Sequence, residues 1–445
     1  MKKKLFKYKK VLVIGIGKSG TSVCNLLVQK KIDVVATDDS SPFLINKLNK
    51  EVPFLNSSKI KDIKQYNCFI VSPGIPSTHF LIKEAERNKI PILSEIEIAF
   101  RFLPYKVPII AVTGTNGKTT TVNLIKNILE KKYKRVFLAG NITTSFSEIV
   151  SYVTPSSIIV LELSSFQLER IFKFHPFISI ILNISADHLE RYSTFEEYIN
   201  AKANIYRNQT KNDFVVLNYE DRFCRQLEEK IKGPNKIFFS NKRKLQKGVY
   251  SNKNKIYPKY FSISSFSVKP RIFGLHNWEN ILASVIVGFL FKIPSSLIKD
   301  IIENFRGLSH RLQIVGTYKE RTFINDSKST NIDSCKSALE SFSSKVILLM
   351  GGRDKGHPYS SLKNLIKKKV KHIVAFGEAR NKIKKDLYFF DNISLSSSLK
   401  EAVTKAFKIS EKSDIILLSP ACSSFDEFRN FEERGKAFCQ YIKKL

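Results

Sequence analysis

The stretch Val107-Pro108-Ile109-Ile110-Ala111-Val112-Thr113-Gly114-Thr115-Asn116-Gly117-Lys118-Thr119-Thr120 decides the fold. Its first half is apolar enough for a buried strand, its second half is a phosphate loop, and Val122 to Lys131 continues as a helix. Gly114 and Gly117 let the backbone curl so that loop amides face an anion. Lys118 can bridge β- and γ-phosphates, and the Thr119 hydroxyl can serve Mg²⁺. Val112 stands where the usual pattern has its first glycine, so this is a variant loop. A strand, a phosphate loop and a helix in succession point to ATP binding on an α/β scaffold.

Upstream, Val11 to Ile14 reads as a strand, Gly15, Gly17 and Gly20 form G-x-G-x-x-G, and Thr21 to Gln29 reads as a helix. Ile32 to Thr37 is a second strand, ending at Asp38 and Asp39. The default reading is a dinucleotide cleft, and a different nucleotide-diphosphate ligand in the same cleft is the competing one. Cys68 to Ser72 reads as a further strand, broken by Pro73-Gly74, and Ile82 to Asn88 as a helix.

Downstream, Ile158 to Leu161 is an apolar strand with Glu162 at its end, placed to meet a metal. Phe177 to Leu182 is the next, leading to His188. Thr119, Glu162 and His188 all follow expected strands, whose ends could converge on one phosphate site. Phe195 to Tyr206 reads as an amphipathic helix, on which Lys202, taken bare, is a solvated lysine. The segment Lys232 to Tyr260 reads as exposed hairpins and turns. Asn277 and Asn280, before and at the start of the apolar helix Ile281 to Phe291, can cap the helix or read a base. After a hinge at Arg306 to Arg311, strands at Arg321 to Ile324, Val346 to Met350, Lys371 to Phe376 and Asp414 to Leu418 each run into a polar turn. That repetition predicts a parallel α/β sheet with a ligand edge. Cys422 has no histidine near it in sequence and reads as a packed thiol.

Length and composition bound these readings. At 445 residues the chain holds about three domains of typical size. We expect boundaries at 1–103, 104–305 and 306–445. With 74 Lys+Arg against 40 Asp+Glu the net charge is +34, yet 43% of residues are hydrophobic and the lysines form no single stripe. A disordered basic tail is excluded as the main content. The charge reads as surface bias that can help draw in anionic substrates, not as a nucleic-acid site. The six cysteines form no CxxC pair, which fits a reducing, cytoplasmic setting. No run of 18 apolar residues suggests a membrane span, and the basic N-terminus lacks a small-residue cleavage site.

The motifs together resemble the Mur ligase family. The resemblance rests on Val112 to Thr120, Glu162-Leu163-Ser164-Ser165-Phe166-Gln167-Leu168, Asp187-His188 with Lys202, Gly274 to Asn280, and His310-Arg311. Ser72-Pro73-Gly74-Ile75, Asn325 to Asn331 and Ser419 to Phe428 are similar to the branch that adds D-glutamate. Folylpolyglutamate-type ligases share the ATP machinery, and other Mur ligases are the second alternative.

The resemblance implies an ATP-dependent amide ligase of peptidoglycan precursor synthesis with three domains. These are a Rossmann-like domain for UDP-N-acetylmuramoyl-L-alanine, a central P-loop ATPase-like domain and a Rossmann-like domain for D-glutamate. It replaces the dinucleotide reading by UDP, held by Lys18, Ser19, Asp38, Asp39, Ser72 and Gly74. ATP falls to Gly114, Thr115, Asn116, Gly117, Lys118, Thr119 and Thr120, with Asn277, Asn280, Arg311 and Asp326. Two Mg²⁺ sites are implied at Thr119 and Glu162 and at His188 and Lys202, with Lys202 carbamylated. Lys118, Glu162, His188 and Lys202 form the implied catalytic set. Asn141 would approach the substrate. Lys328, Thr330, Lys355, Ser424, Phe425 and Phe431 would hold D-glutamate. A monomer without nucleic acid or membrane insertion is expected. Thr143-Thr144 depart from the family, which usually has glycine after Asn141-Ile142, so the path of that loop is open.

Overall fold

The computed structural model describes residues 8–39, 45–185, 191–272, 274–356 and 358–445, with backbone alone at 275 and 276. Among these residues the strands form three sheets. The first contains β1 (Lys10–Ile14), β2 (Asp33–Thr37), β3 (Phe54–Leu55), β4 (Cys68–Val71) and β5 (Ile92–Ser94). Its order is β3-β2-β1-β4-β5 with every pair parallel. The order reverses beside β1, which opens a crevice at the carboxyl ends of β1 and β4. The glycine turn lies there. Gly15 takes φ +89, and a Cβ on Gly20 would lie 1.9 Å from Gly15 O. Gly20 is what lets the Lys18–Gln29 helix press onto the turn.

The second sheet contains β6 (Ile109–Thr113), β7 (Val136–Gly140), β8 (Ile158–Glu162), β9 (Ile178–Ile181), β10 (Phe214–Asn218), β11 (Asn235–Ser240), β12 (Val249–Asn252), β13 (Lys255–Tyr257) and β14 (Phe266–Ser267). Its order is β14-β13-β12-β11-β10-β9-β6-β8-β7. From β7 through β12 all pairs are parallel, and the β12–β13 and β13–β14 pairs are antiparallel. The segment 232–260 therefore differs from its expected exposed turns. Ile237, Phe239, Val249 and Ile256 are fully buried, so alternate apolar residues hide one face under a lysine-rich exterior. Only the β12–β13 pair is the expected hairpin.

The first two sheets share a core in which Leu26, Ile96 and Ala99 pack with Ile109, Phe146 and Leu161. Two buried carboxylates fasten the Glu95–Arg101 helix into this core. Glu97 accepts the amides of Phe172, Lys173 and Phe174, each at 2.9 Å, and pairs with Arg101. Glu95 Oε1 accepts Ser147 N at 2.6 Å. Burial pushes the Glu95 carboxyl up to about 7.

The third sheet contains β15 (Gln313–Tyr318), β16 (Arg321–Asn325), β17 (Val346–Gly351), β18 (Val370–Phe376), β19 (Ile393–Ser396) and β20 (Ile415–Ala421). Its order is β15-β16-β20-β17-β18-β19. It is parallel except for the edge strand β15, which the sequence reading passed over. Half-exposed residues and Gly316 dilute the strand pattern of β15.

The chain divides into two compact units, Met1–Val268 with Glu279–Ile301, and Lys269–Trp278 with Ile302–Leu445. The first holds two sheets and the second holds one. Among the described residues no helix is long and apolar enough to cross a membrane.

Candidate active site

In the second sheet β6 lies between β9 and β8, so its carboxyl end is the point where strand order reverses. The phosphate loop leaves from there. Gly114 takes φ +153 and Gly117 φ +87, conformations that side chains disfavour. Asn183, from the exit of β9, latches the loop: its Oδ1 accepts Asn116 N at 2.8 Å and its Nδ2 donates to Asn116 O at 3.2 Å. Thr115 Oγ1 accepts Ser185 N at 3.0 Å. Asn280 Oδ1 accepts the Thr121 hydroxyl at 3.2 Å and sits where a Cβ on Gly117 would come within 2.3 Å. Asn280 therefore braces the phosphate loop. Asn277 is buried in the same helix, its backbone N donating to Gly274 O. Thr119 and Thr120 follow Lys118 in the first turn of the Lys118–Glu130 helix, whose N-terminus favours anions.

The lysines correct one expectation. Lys202 is not a solvated surface residue; it is 2% exposed. Its Nζ donates to Gly114 O at 3.0 Å and lies 4.6 Å from the centroid of the Tyr198 ring. Lys118 Nζ donates to the same Gly114 O at 2.7 Å and to Thr115 O at 2.9 Å. Two ammonium groups thus share one carbonyl oxygen beside a helix N-terminus. A helix N-terminus of this kind favours an anion.

Glu162 is the last residue of β8, paired with Val112 on one side and Gly140 on the other. It is 3% exposed, and no donor reaches its Oε2 among the described residues. A buried carboxylate oxygen without a donor is costly unless a cation meets it. Glu162 and the Thr119 hydroxyl are hard oxygen donors of the kind Mg²⁺ takes. Among the described residues no three His, Cys, Asp or Glu cluster for a metal. His188 lies outside the described residues. Lys202 as an ammonium cannot ligate a cation. The orphaned oxygen of Glu162 and the Thr119 hydroxyl fit a magnesium ion.

The loop after β7 brings Asn141 to this carboxylate. Asn141 N donates to Glu162 O at 2.8 Å, and Asn141 Nδ2 is 3.4 Å from Glu162 Oε1. A Cβ on Gly140 would lie 2.2 Å from Glu162 O, so glycine allows this approach. Thr144 O accepts Gly140 N at 2.9 Å, which closes the turn despite the two threonines. Lys18 Nζ donates to Ile142 O at 2.6 Å and ties the first sheet's helix to the Asn141 loop.

In the first sheet Ser72 Oγ donates to Gly15 O at 2.6 Å and Asp38 Oδ2 accepts Ile16 N at 2.6 Å. Asp39 pairs with His79 Nε2 at 2.9 Å. Ser19 lies in the first turn of the Lys18–Gln29 helix, and Gly74 has open space where a Cβ would stand. Ser72 and Asp38 thus both meet the Gly15–Ile16 turn at the carboxyl end of β1, while the Lys18 ammonium reaches the neighbouring loop. Arg191 was not anticipated. It donates to Pro73 O at 2.9 Å and Ile75 O at 3.0 Å and pairs with Glu169 at 3.1 Å.

The second compact unit gathers its own set at the carboxyl ends of β16, β20 and β17. Asp326 Oδ2 accepts Ser419 Oγ at 3.0 Å and Oδ1 accepts Leu312 N at 3.2 Å; burial pushes its carboxyl up to about 7. Arg311 lies on the turn before β15. Lys328 Nζ sits 3.8 Å from the centroid of the Phe431 ring. Thr330 is half-buried, Lys355 and Phe425 are exposed, and Ser424 is buried. The Cys422 thiol is fully buried and burial raises it to about 12, in keeping with a packed thiol.

Family comparisons agree with this architecture. Residues 9–94 match the family model for the Mur ligase MurD-like N-terminal domain. Residues 112–288 match the Mur ligase middle domain, and residues 310–422 match the Mur ligase glutamate ligase domain. The chain is 38% identical over 449 residues to the UDP-N-acetylmuramoylalanine--D-glutamate ligase of Elusimicrobium minutum, covering 99% of both chains. It is 36% identical over 456 residues to the ligase of the same name from Koribacter versatilis, covering 98% of both. Among solved structures it resembles a pseudomurein peptide ligase type C from Methanothermus fervidus, with a TM-score of 0.60 at 18% identity over 98% of this chain and 99% of that one. The UDP-N-acetylmuramate-alanine ligase of Thermotoga maritima gives the same values. At that identity the likeness is one of fold. With sheets, motifs and near full-length identity in agreement, the chain belongs to the Mur ligase family.

Proposed function

We propose that this protein joins the amino group of D-glutamate to the free carboxylate of UDP-N-acetylmuramoyl-L-alanine at the expense of ATP. The observation that carries this reading is the 38% identity, end to end, to a relative of that name, with a MurD-like first domain. In this reading residues 1–103 bind the UDP substrate, 104–305 bind ATP and 306–445 bind the amino acid.

The substrate carboxylate attacks the γ-phosphorus, ADP leaves, and an acyl phosphate forms. The glutamate amine then adds to the acyl carbon, phosphate departs, and the nitrogen sheds its proton as the amide forms. Lys118, now folded onto Gly114 O and Thr115 O, turns toward the β- and γ-phosphates when they arrive. Asn141, fixed beside Glu162, orients the carboxylate. Thr119, Glu162, His188 and Lys202 are the proposed magnesium-holding residues. Bound there, Mg²⁺ offsets charge on the transferring phosphoryl group. Carbamylation of Lys202 would replace one of two crowded cations by an anion. Lys328 and Lys355 meet the two carboxylates of glutamate, alongside Thr330, Ser424, Phe425 and Phe431. Arg311, Asp326 and Asn277 are assigned to ATP, and Ser19, Asp38, Asp39, Ser72 and Gly74 to UDP.

The test is phosphate release from ATP, Mg²⁺ and UDP-N-acetylmuramoyl-L-alanine with each of D-glutamate, L-alanine and a diamino acid. Stimulation by D-glutamate alone is expected. Stimulation by another amino acid in its place would move the chain to a different branch of the family.

A further inference from the structure

Among the described residues Arg434 is the largest side chain that is fully buried, and none of the roles assigned above uses it. It projects from the Phe431–Ile442 helix, three residues after Phe431, so both side chains face one way. Its Nε donates to Ser327 Oγ at 3.1 Å and its Nη2 to Ser327 O at 2.8 Å and Cys422 O at 3.1 Å. Its Nη1 donates to Ser423 O at 3.0 Å. The guanidinium thus grips the chain just past β16 and just past β20. A third loop joins through the backbone: Arg353 N donates to Ser423 O at 3.0 Å and Ser423 N to Arg353 O at 3.2 Å. These three loops carry Lys328, Ser424 and Lys355.

Burying a guanidinium is costly, and apolar side chains commonly fill such a gap with no loss of stability. What an apolar side chain cannot supply is a rigid fork that fixes several carbonyls in one plane. The helix also approaches closely here. A Cβ on Gly435 would come within 2.2 Å of His310 Nδ1, and Gly435 O accepts Asn325 Nδ2 at 2.9 Å. Helix and strand end are therefore held in a fixed relation at Gly435, next to the residue that bears the fork.

We propose that Arg434 is a positioning residue for the incoming amino acid, setting the mutual spacing of the loops that present Lys328, Lys355 and Ser424. It touches no substrate. It acts by fixing the distance between cations that must meet two carboxylates at once. This rests on the reading that this unit binds D-glutamate.

The experiment uses the full-length protein, its Arg434→Lys and Arg434→Met variants, and Ser327→Ala. Steady-state phosphate release gives KM for each of the three substrates, and urea melts give stability. We expect KM for D-glutamate to rise about tenfold or more in Arg434→Met. In Arg434→Lys, which keeps charge without the fork, it should rise by a smaller factor. KM for ATP and for the UDP substrate should stay within about twofold. Ser327→Ala removes one hydroxyl acceptor and should raise KM for D-glutamate alone by about two- to fivefold. If the Arg434 variants do not fold, Ser327→Ala decides. Unchanged KM for D-glutamate overturns the proposal, as does a uniform loss of activity that follows the unfolded fraction. Wild-type protein that ignores D-glutamate refutes the functional reading itself, and this proposal with it.

Discussion

Replacing Lys202 by methionine separates a structural lysine from a chemical one. The side chain is 2% exposed, and its ammonium holds Gly114 O at 3.0 Å and lies 4.6 Å from the Tyr198 ring centroid. Losing a hydrogen bond from a charged donor costs about 1.5–3 kcal/mol. Losing the cation–π contact costs about 0.5–2 kcal/mol. Against this, methionine escapes the several kcal/mol needed to bury an ammonium, and it keeps the apolar stem packed. The terms nearly cancel, so the urea midpoint should move little and the protein should stay folded. Turnover should fall by about 10- to 100-fold, the scale on which losing a group that supports a metal acts. A short carboxylate such as acetate should restore part of it, since the missing group in the proposed state is an anion. Turnover and stability both near wild type would refute the reasoning and return Lys202 to a packing role. So would a loss of turnover that merely follows unfolding.

Gly117→Ala puts a side chain at φ +87 and drives its Cβ toward Asn280 Oδ1. A left-handed non-glycine residue costs about 1–2 kcal/mol, and displaced loop amides should weaken ATP binding at least tenfold by calorimetry. Unchanged ATP affinity would mean that Asn280 does not brace the loop. Glu95→Gln tests the carboxyl that burial raises from 4.5 to about 7. Because the folded pKa is the higher one, the group's stability contribution is full below pH 4.5 and is lost as pH rises through about 7. That loss is of the order of 3 kcal/mol. Urea midpoints at pH 5 and pH 8 should therefore fall less in Glu95→Gln than in wild type, and parallel pH dependence would contradict the assignment.

Much of the site was legible because its backbone demands are local. Gly114 and Gly117 carry the φ values that the phosphate loop needs, and Glu162 ends an all-apolar strand, so type and position are visible in a short window. The packing around them was not legible. Asn183, Tyr198 and Asn280 reach the loop from 67, 83 and 163 residues away, respectively, counted from Asn116, Thr115 and Gly117. Lys202 looked like a surface lysine because an amphipathic helix carries many such residues, and only the opposing loop shows that this one is buried. Arg434 was hidden for a related reason: a charged residue in a helix written Phe431-Glu432-Glu433-Arg434-Gly435 reads as solvated until the loop ends beneath it are seen. β11 was missed because its lysine-rich surroundings outweighed Ile237 and Phe239 in the reading of 232–260.

In the proposed reaction one oxygen of the L-alanine carboxylate departs within inorganic phosphate when D-glutamate is joined. Supplying the UDP substrate with both carboxylate oxygens labelled as ¹⁸O, together with ATP, Mg²⁺ and D-glutamate, tests it directly. Mass spectrometry should find a D-glutamate amide that retains one label and inorganic phosphate that carries the other. Unlabelled phosphate, or no D-glutamate amide at all, would contradict the account.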